Sequence, residues 1–149
     1  MHPLFSAVII IIGALLIVII GWHTIFRKPT TEPAHVREES GIVIIKINLS
    51  ITNYRSCKGL QPIILNVLNN LHSSIIMDMS EVESINSVWF LGLLVRFGYG
   101  VNKAGGKMVL VGLKQPVRRL FVDRGLDKMY PLFKDIEDAK CFLLGRNKL

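Results

Sequence analysis

Apolar residues fill the chain from Leu4 to Trp22, a run of 19 positions without a charged side chain. At about 1.5 Å rise per residue, a helix of that length crosses a hydrocarbon core of roughly 30 Å. The pattern therefore predicts a transmembrane anchor over residues 1–26. A cleavable signal peptide is the alternative, but its first residues would lack Lys and Arg, and its apolar run would exceed the usual ~7–15 residues.

Polar and charged residues dominate the segment that follows the apolar run. Residues 27–40 contain two prolines, threonines and charges without apolar periodicity, which predicts a linker. The only basic side chain before the run is His2, whereas Arg27 and Lys28 follow it. The positive-inside rule therefore places the N-terminus outside and the remainder in the cytoplasm. We therefore expect a single-pass protein of the inner (cytoplasmic) membrane, with residues 41–149 as its cytoplasmic domain.

Short β-branched runs alternate with segments of helical periodicity in residues 41–149. The predicted strands are Gly41 to Asn48, Ser73 to Ser80, Lys107 to Leu113 and a short one within Met129 to Phe133. The predicted helices are Ser56 to Leu71, with Pro62 near its first turn, Val88 to Lys103, a helix opened by Pro116 and closed by Gly125, and Asp135 to Leu144. This alternation predicts an α/β fold with about four to five mostly parallel strands and packed helices.

The formal net charge of +7 raises the question of a nucleic-acid partner. The cations are scattered, and the one tight pair of the globular part, Arg118 and Arg119, has no interleaved aromatic residues, so no nucleic-acid partner is predicted. A basic face turned toward anionic lipid is the better interpretation. Cys57 and Cys141 have no C-x-x-C spacing and are predicted to be reduced packing residues.

The sequence lacks the residue patterns of catalysis and cofactor binding. The stretch "GYGVNKAGG" fails the G-x-G-x-x-G spacing, and the four histidines lack the HExxH spacing. No nucleophile with an adjacent base is assembled by the residue pattern, so the sequence does not predict an enzyme. We expect no cofactor, no metal site and no enzymatic activity.

The stretch "SEVESINSVWFLGLL", Ser80 to Leu94, turns from polar to apolar immediately after Ser87. One interpretation is an N-cap, in which an oxygen of Asn86 or Ser87 accepts a hydrogen bond from the free N–H groups of the next helix. The other is a phosphorylation switch at Ser87, since free N–H groups and the positive end of the helix dipole stabilise an added phosphate. The residues leave both interpretations open.

Three stretches together are similar to a known family: "IIMDMSEVESINSVWFLGLLVRF", "GGKMVLVGLKQPVRRLFVDRGLDKMY" and "DIEDAKCFL". In this order they resemble a STAS domain, the module of anti-sigma factor antagonists and of sulfate-transporter tails. The resemblance covers Gly41 to Leu144, and it implies the STAS fold for the globular part, behind the N-terminal transmembrane helix.

The resemblance also implies a site in the loop before the second helix. In the antagonist branch this loop typically reads Asp-Ser-Ser/Thr-Gly-Leu-Gly, and a kinase that is also the anti-sigma factor phosphorylates the serine after the aspartate. Aligned without a gap, the aspartate falls on Asn86 and the serine on Ser87. Val88 replaces the second hydroxyl, and Trp89 and Leu91 replace the glycines, so bulky side chains stand where the family has an open loop.

Helical spacing separates a core face from a partner face in Val88 to Lys103. The predicted core residues are Phe90, Leu93, Leu94 and Phe97. STAS domains generally bind partners through the loop before this helix and through its exposed face, so the resemblance implies a partner-binding surface. Its residues would be Glu83, Asn86, Ser87, Val88, Trp89 and Arg96. Three glycines of this helix, at positions 92, 98 and 100, predict either close packing against another helix or fraying of the helix end.

The sequence thus predicts a membrane-tethered, non-enzymatic STAS module that binds a cytoplasmic protein around Ser87, with Ser87 as the candidate site of phosphorylation control. The expected partner is an anti-sigma or kinase-like protein, or the ATPase subunit of a transporter, and the membrane is contacted through Leu4 to Trp22. The alternative is a constitutive accessory subunit of a membrane transporter or other membrane complex.

Overall fold

The structure is a computed structural model that describes residues 32–48, 54–70 and 74–145. The predicted anchor, Leu4 to Trp22, and most of the predicted linker lie outside these residues. Within the described ranges, no helix has the length and apolar character needed to cross a membrane.

A mixed sheet of five strands forms the centre of the described part. The strands are β1 (Ala34–Glu39), β2 (Ile42–Ile47), β3 (Ser74–Asp78), β4 (Met108–Val111) and β5 (Leu132–Phe133). Their spatial order follows the chain, β1-β2-β3-β4-β5. Only the β1–β2 pair is antiparallel, and the other three pairs are parallel. The predicted α/β fold with a mostly parallel sheet is therefore confirmed.

The first strand corrects the predicted domain boundary. β1 lies inside the segment predicted to be a linker, residues 27–40, and pairs with β2 from Ala34 opposite Ile47 to Glu39 opposite Ile42. Ser40 and Gly41 join the two strands with positive φ angles of 53° and 72°, as in a two-residue hairpin turn. Sequence periodicity misses β1 because four of its six residues are exposed, and charged exposed residues are typical of an edge strand.

Four helices and one 3₁₀ turn complete the described part. They are α1 (Tyr54–Asn69), α2 (Val88–Lys103), α3 (Gln115–Asp123), the 3₁₀ turn Leu126–Lys128 and α4 (Ile136–Leu143). The bounds of α2 agree with the prediction. The start of α1 does not, because the helix begins at Tyr54 and Pro62 lies in its middle instead of its first turn. Both Pro62 and Lys58 are exposed, so water can reach the Lys58 carbonyl that Pro62 leaves without a donor.

The two faces of the sheet bury two separate apolar clusters, since successive strand residues point to opposite faces. The larger cluster joins alternate strand residues to α1, α2 and α3, and includes Ile45, Ile75, Met77, Leu110, Leu60, Ile64, Phe90, Leu94, Phe97 and Phe121. The smaller one lies under α4, and includes Ile42, Ile44, Ile76, Val109, Val111 and Ala139. The predicted core stripe of α2 is confirmed at Phe90, Leu94 and Phe97, whereas Leu93 is half-buried.

Candidate functional site

The loop between β3 and α2 begins at the carboxyl end of a central strand. The Asp78 carboxylate accepts a hydrogen bond from the Ser80 backbone N–H at 2.9 Å, and the Met79 N–H donates to the Val111 carbonyl at 2.9 Å. Further along, Val82 and Ile85 are buried in the larger apolar cluster. These anchors fix the path of the loop and carry it to the first turn of α2.

Ser87 occupies the N-cap position of α2, but its side chain does not cap the helix. Its backbone is extended (φ −108°, ψ 113°), and its carbonyl accepts a hydrogen bond from the Phe90 N–H at 3.2 Å. The hydroxyl oxygen lies 3.2 Å from the Cys57 sulfur of α1 in a buried contact, and the two residues are only 7% and 4% exposed. The prediction that the Ser87 hydroxyl caps the helix is therefore wrong, because the side chain turns toward α1.

The two residues that follow Ser87 have the opposite environment. Val88 is 72% exposed and Trp89 is 68% exposed. The Trp89 ring packs edge-on against the Tyr54 ring of α1, with centroids 5.3 Å apart and planes inclined by 63°. The chain thus buries the hydroxyl and presents the two large apolar side chains beside it.

A cleft of about 390 Å³ runs between α1 and α2 at this position. Its lining residues are Tyr54, Cys57, Lys58, Gln61, Val88, Trp89, Gly92, Leu93 and Arg96. Most of these residues are apolar or aromatic, and two, Lys58 and Arg96, are cations. This combination is typical of a binding surface. We call this the front cleft.

A second, more open cleft of about 610 Å³ lies along α2 toward the end of α3. Its lining residues are Val88, Leu91, Gly92, Val95, Arg96, Tyr99, Arg124 and Leu126. We call this the rear cleft. The exposed ridge of α2, which includes Val88, Gly92 and Arg96, borders both clefts.

The charged residues that line the two clefts are all basic. Neither list of lining residues contains an Asp or a Glu, and the sequences of α1 and α2 contain none either. The cations of the cleft walls are Lys58 from α1, Arg96 from α2 and Arg124 after α3. This surface therefore combines apolar side chains with positive charge.

The structure brings together only some of the predicted partner-binding residues. Val88, Trp89 and Arg96 line the front cleft, whereas Asn86 is exposed next to it and Ser87 is buried. Glu83 forms an ion pair with Lys114, at the start of α3. Glu83 and Asn86 are thus on the same loop, but they do not line either cleft.

Sequence reasoning missed the contribution of α1 and of the end of α3. Tyr54 lies between the predicted first strand and the predicted first helix, and Lys58 belongs to the polar face of α1. Arg124 follows α3, more than 20 positions after the α2 residues that it faces across the rear cleft. The one signal available in the sequence was the tyrosine at position 54. Its role in the front cleft depends on the packing of α1 beside α2.

The three glycines of α2 have different surroundings. A Cβ atom at Gly98 would lie 2.4 Å from the Tyr130 ring, and one at Gly100 would lie 2.9 Å from Leu68 Cδ2 of α1. Close packing therefore explains these two glycines. A Cβ atom at Gly92 would meet nothing within 4 Å. Glycine inside a helix costs about 1 kcal/mol relative to alanine, and the packing of the described chain does not explain this cost at Gly92.

The described residues contain no group of three or more His, Cys, Asp or Glu side chains that would hold a metal ion. Cys57 and Cys141 are free thiols, of which Cys57 is buried and Cys141 half-buried.

The family profile of the STAS domain matches residues 34–139, which include all five strands and the first half of α4. The chain belongs to the STAS domain family. The match begins at the first residue of β1, in agreement with the corrected boundary of the STAS domain. No curated protein matches the chain.

Solved STAS structures share the fold at low sequence identity. An anti-sigma factor antagonist from Mycobacterium paratuberculosis is 24% identical with a TM-score of 0.67, over 74% of this chain and 92% of the other. The anti-sigma factor antagonist SpoIIAA in its unphosphorylated form is 14% identical with a TM-score of 0.64, over 77% and 99%. The murine solute carrier 26 family member A9 anion transporter is 20% identical with a TM-score of 0.60, over 73% of this chain but only 18% of the transporter.

Proposed function

We propose that this protein is a non-enzymatic STAS docking module, which binds a cytoplasmic protein through the loop Glu83 to Trp89 and the exposed ridge of α2. The observation that carries the proposal is the exposure of Val88 and Trp89, at 72% and 68%, on the wall of an apolar cleft. Large apolar side chains that stand together on a surface are typical of protein-interaction sites, and Trp is enriched among residues that dominate binding energy.

The proposal includes a membrane tether formed by Leu4 to Trp22. A tether raises the effective concentration of the STAS domain near other proteins of the same membrane. The apolar, uncharged composition of this stretch and the cations that follow it support the tether.

Phosphorylation control of docking is part of the same proposal, and Ser87 is the proposed site. Its hydroxyl is buried against Cys57, so the first turn of α2 must turn the side chain outward before a kinase can reach it. A phosphate added there would then stand at the N-terminus of α2, where the helix dipole and free N–H groups stabilise negative charge. Modification would thus hold the loop in the outward arrangement.

A second candidate is a constitutive accessory subunit of a membrane transporter or other membrane complex. Two observations favour it: the Ser87 hydroxyl is buried, and Asn86 stands where the antagonist loop has its aspartate. The fold similarity to one part of an anion transporter supports the same candidate. In this case the cleft surface would bind its partner without a switch.

The test is capture of partners by the full-length protein from its own membranes in mild detergent, with chemical crosslinking. Trp89→Ala should lower partner recovery at least tenfold. The matched control is Val122→Ala, since Val122 is also an exposed apolar residue of a helix but lines neither cleft. Equal recovery with Trp89→Ala and wild type would refute the proposal. Mass spectrometry of Ser87 in the captured protein then separates the two candidates, because a stoichiometric complex with unmodified Ser87 supports the constitutive subunit.

A further inference from the structure

Gly92 leaves a gap in the exposed ridge of α2. It lies one helical turn after Val88 and one turn before Arg96, and it lines both the front and the rear cleft. Apart from its chain neighbours and the nearby backbone of α2 itself, no atom lies within 4 Å of the Cβ position there, so the described part of the chain does not fill the gap. The backbone of α2 is therefore open to close approach from outside at this one turn, and the distance between packed helices depends on the side chains at their contact.

The surroundings of this gap combine an apolar anchor with positive charge. Trp89 stands on one side of Gly92 along the ridge and Arg96 on the other, while Lys58 and Arg124 lie on the outer walls of the front and rear clefts. No acidic residue lines either cleft. A complementary partner element must therefore bring apolar side chains and carboxylates together, and it must be narrow enough to lie across a single turn of α2.

We infer that the partner presents an amphipathic helix with acidic residues, which crosses α2 at Gly92. This inference rests on the proposed function and specifies the chemistry of its partner. The partner's apolar face packs on Val88 and Trp89, and its carboxylates pair with Lys58 on one side and Arg124 on the other. Arg96 binds a carboxylate at the centre of the crossing.

An anionic membrane surface is the competing occupant, because aromatic residues and cations also mark membrane interfaces. The shape of the site favours the helix. The ridge has a concave cleft on either side, and Trp89 packs against Tyr54 in the cleft wall. A missing side chain at Gly92 gives no advantage on a lipid surface, whereas it allows a partner helix to come closer.

The first test changes the size of residue 92 in the full-length protein. Gly92→Ala should leave the fold intact and raise its Tm by a few degrees, since alanine favours the helix. The same change should weaken partner recovery several-fold, and Gly92→Leu should weaken it at least tenfold, by steric exclusion. Partner recovery that is unchanged in Gly92→Leu would overturn the inference. Where recovery falls, a cooperative thermal unfolding transition of Gly92→Leu excludes a loss of structure as the cause.

The second test identifies what lies over the gap. A photoreactive benzophenone side chain is placed at Val88 or at Tyr99 of the full-length protein in cells, and the crosslinked segment is sequenced by mass spectrometry. The expected segment carries apolar residues at helical spacing with several Asp or Glu. A lipid adduct, a segment without acidic residues, or no crosslink at either position would overturn the inference.

Charge reversal distinguishes failure of this inference from failure of the proposed function. Arg96→Glu should reduce the benzophenone crosslink at least tenfold, whereas Lys103→Glu, in the last turn of α2 and outside both clefts, should not. If Trp89→Ala abolishes partner recovery while Gly92→Leu and Arg96→Glu preserve it, the docking function holds and the acidic helix is wrong. If Trp89→Ala also preserves recovery, both proposals are wrong.

Discussion

The hydroxyl oxygen of Ser87 lies 3.2 Å from the sulfur of Cys57, and this contact joins the first turn of α2 to α1. Both residues are buried, so neither polar group has easy access to water. Each side chain therefore supplies the polar partner of the other, although 30 positions separate them in the sequence. The contact holds the hydroxyl inside the domain, while Val88 and Trp89 beside it are exposed.

Removal of the thiol should destabilise the domain. Cys57→Ala leaves the buried Ser87 hydroxyl without its partner and opens a small cavity, which should lower the free energy of unfolding by about 1–3 kcal/mol. Denaturant-induced unfolding of the variant measures this change. The control is Cys141→Ala, because that thiol lies half-buried in α4, and equal effects of the two substitutions would contradict a specific role for Cys57.

A negative charge at position 87 should be incompatible with the buried arrangement. Ser87→Asp places a carboxylate against Cys57 and the apolar cluster, so we expect a loss of at least ~2 kcal/mol in stability or an outward movement of the first turn of α2. Thermal unfolding detects the loss, and increased alkylation of Cys57 detects the movement. Asn86→Asp is the matched control, since Asn86 is exposed and its charged variant should leave both quantities near the wild-type values.

The two glycines Gly92 and Gly98 should respond to alanine with opposite signs. Gly98→Ala forces a methyl group to within 2.4 Å of the Tyr130 ring, which should cost about 1–3 kcal/mol of overpacking. Gly92→Ala meets open space and should stabilise the domain by up to ~1 kcal/mol through helix propensity. Chemical denaturation of the two variants measures both changes in stability. A loss of stability in Gly92→Ala would show that the chain itself fills the space beside Gly92.

The ion pair between Glu39 and Lys140 should make stability depend on pH at both extremes. The Lys140 ammonium bonds to the Glu39 carboxylate at 2.6 Å and holds the pKa of Glu39 below its ordinary value of 4.5. The contribution of Glu39 is therefore complete above pH 4.5 and is lost as the pH falls through the lowered pKa. The bonds to Glu39 and Glu137 raise the pKa of Lys140 above 10.5, so its contribution is complete below pH 10.5 and is lost as the pH rises through the raised pKa.

Unfolding curves of wild type and Glu39→Gln across the acid range check this prediction. The difference in stability between the two proteins should shrink as the pH falls below 4.5 and should stay constant near neutrality. Glu38→Gln serves as the control, because Glu38 is the neighbouring exposed acid of β1. A difference that does not change with pH would contradict the role of the ion pair.

The sequence predicted the elements whose apolar pattern is complete and missed those that depend on distant partners. The α2 helix has the predicted bounds, Val88 to Lys103, because its core stripe repeats over about three turns, from Phe90 to Val101. β1 was assigned to the linker because a charged edge strand has no apolar face long enough to be recognised. In the site, exposure of Trp89 was predicted from helical spacing alone. The inward turn of Ser87 was not, because it depends on Cys57 across the α1–α2 contact.

Tyr130 occupies the space that a side chain at Gly98 would need, and its hydroxyl donates a hydrogen bond to the Leu94 carbonyl of α2 at 3.2 Å. Burial raises the pKa of the Tyr130 phenol, which keeps the donor proton in place at neutral pH. The Tyr130 ring thus packs against the middle of α2, and the helix cannot slide or rotate on the sheet without displacing this ring. Because Tyr130 comes two residues before β5, this contact ties the middle of α2 to the segment that enters the last strand of the sheet.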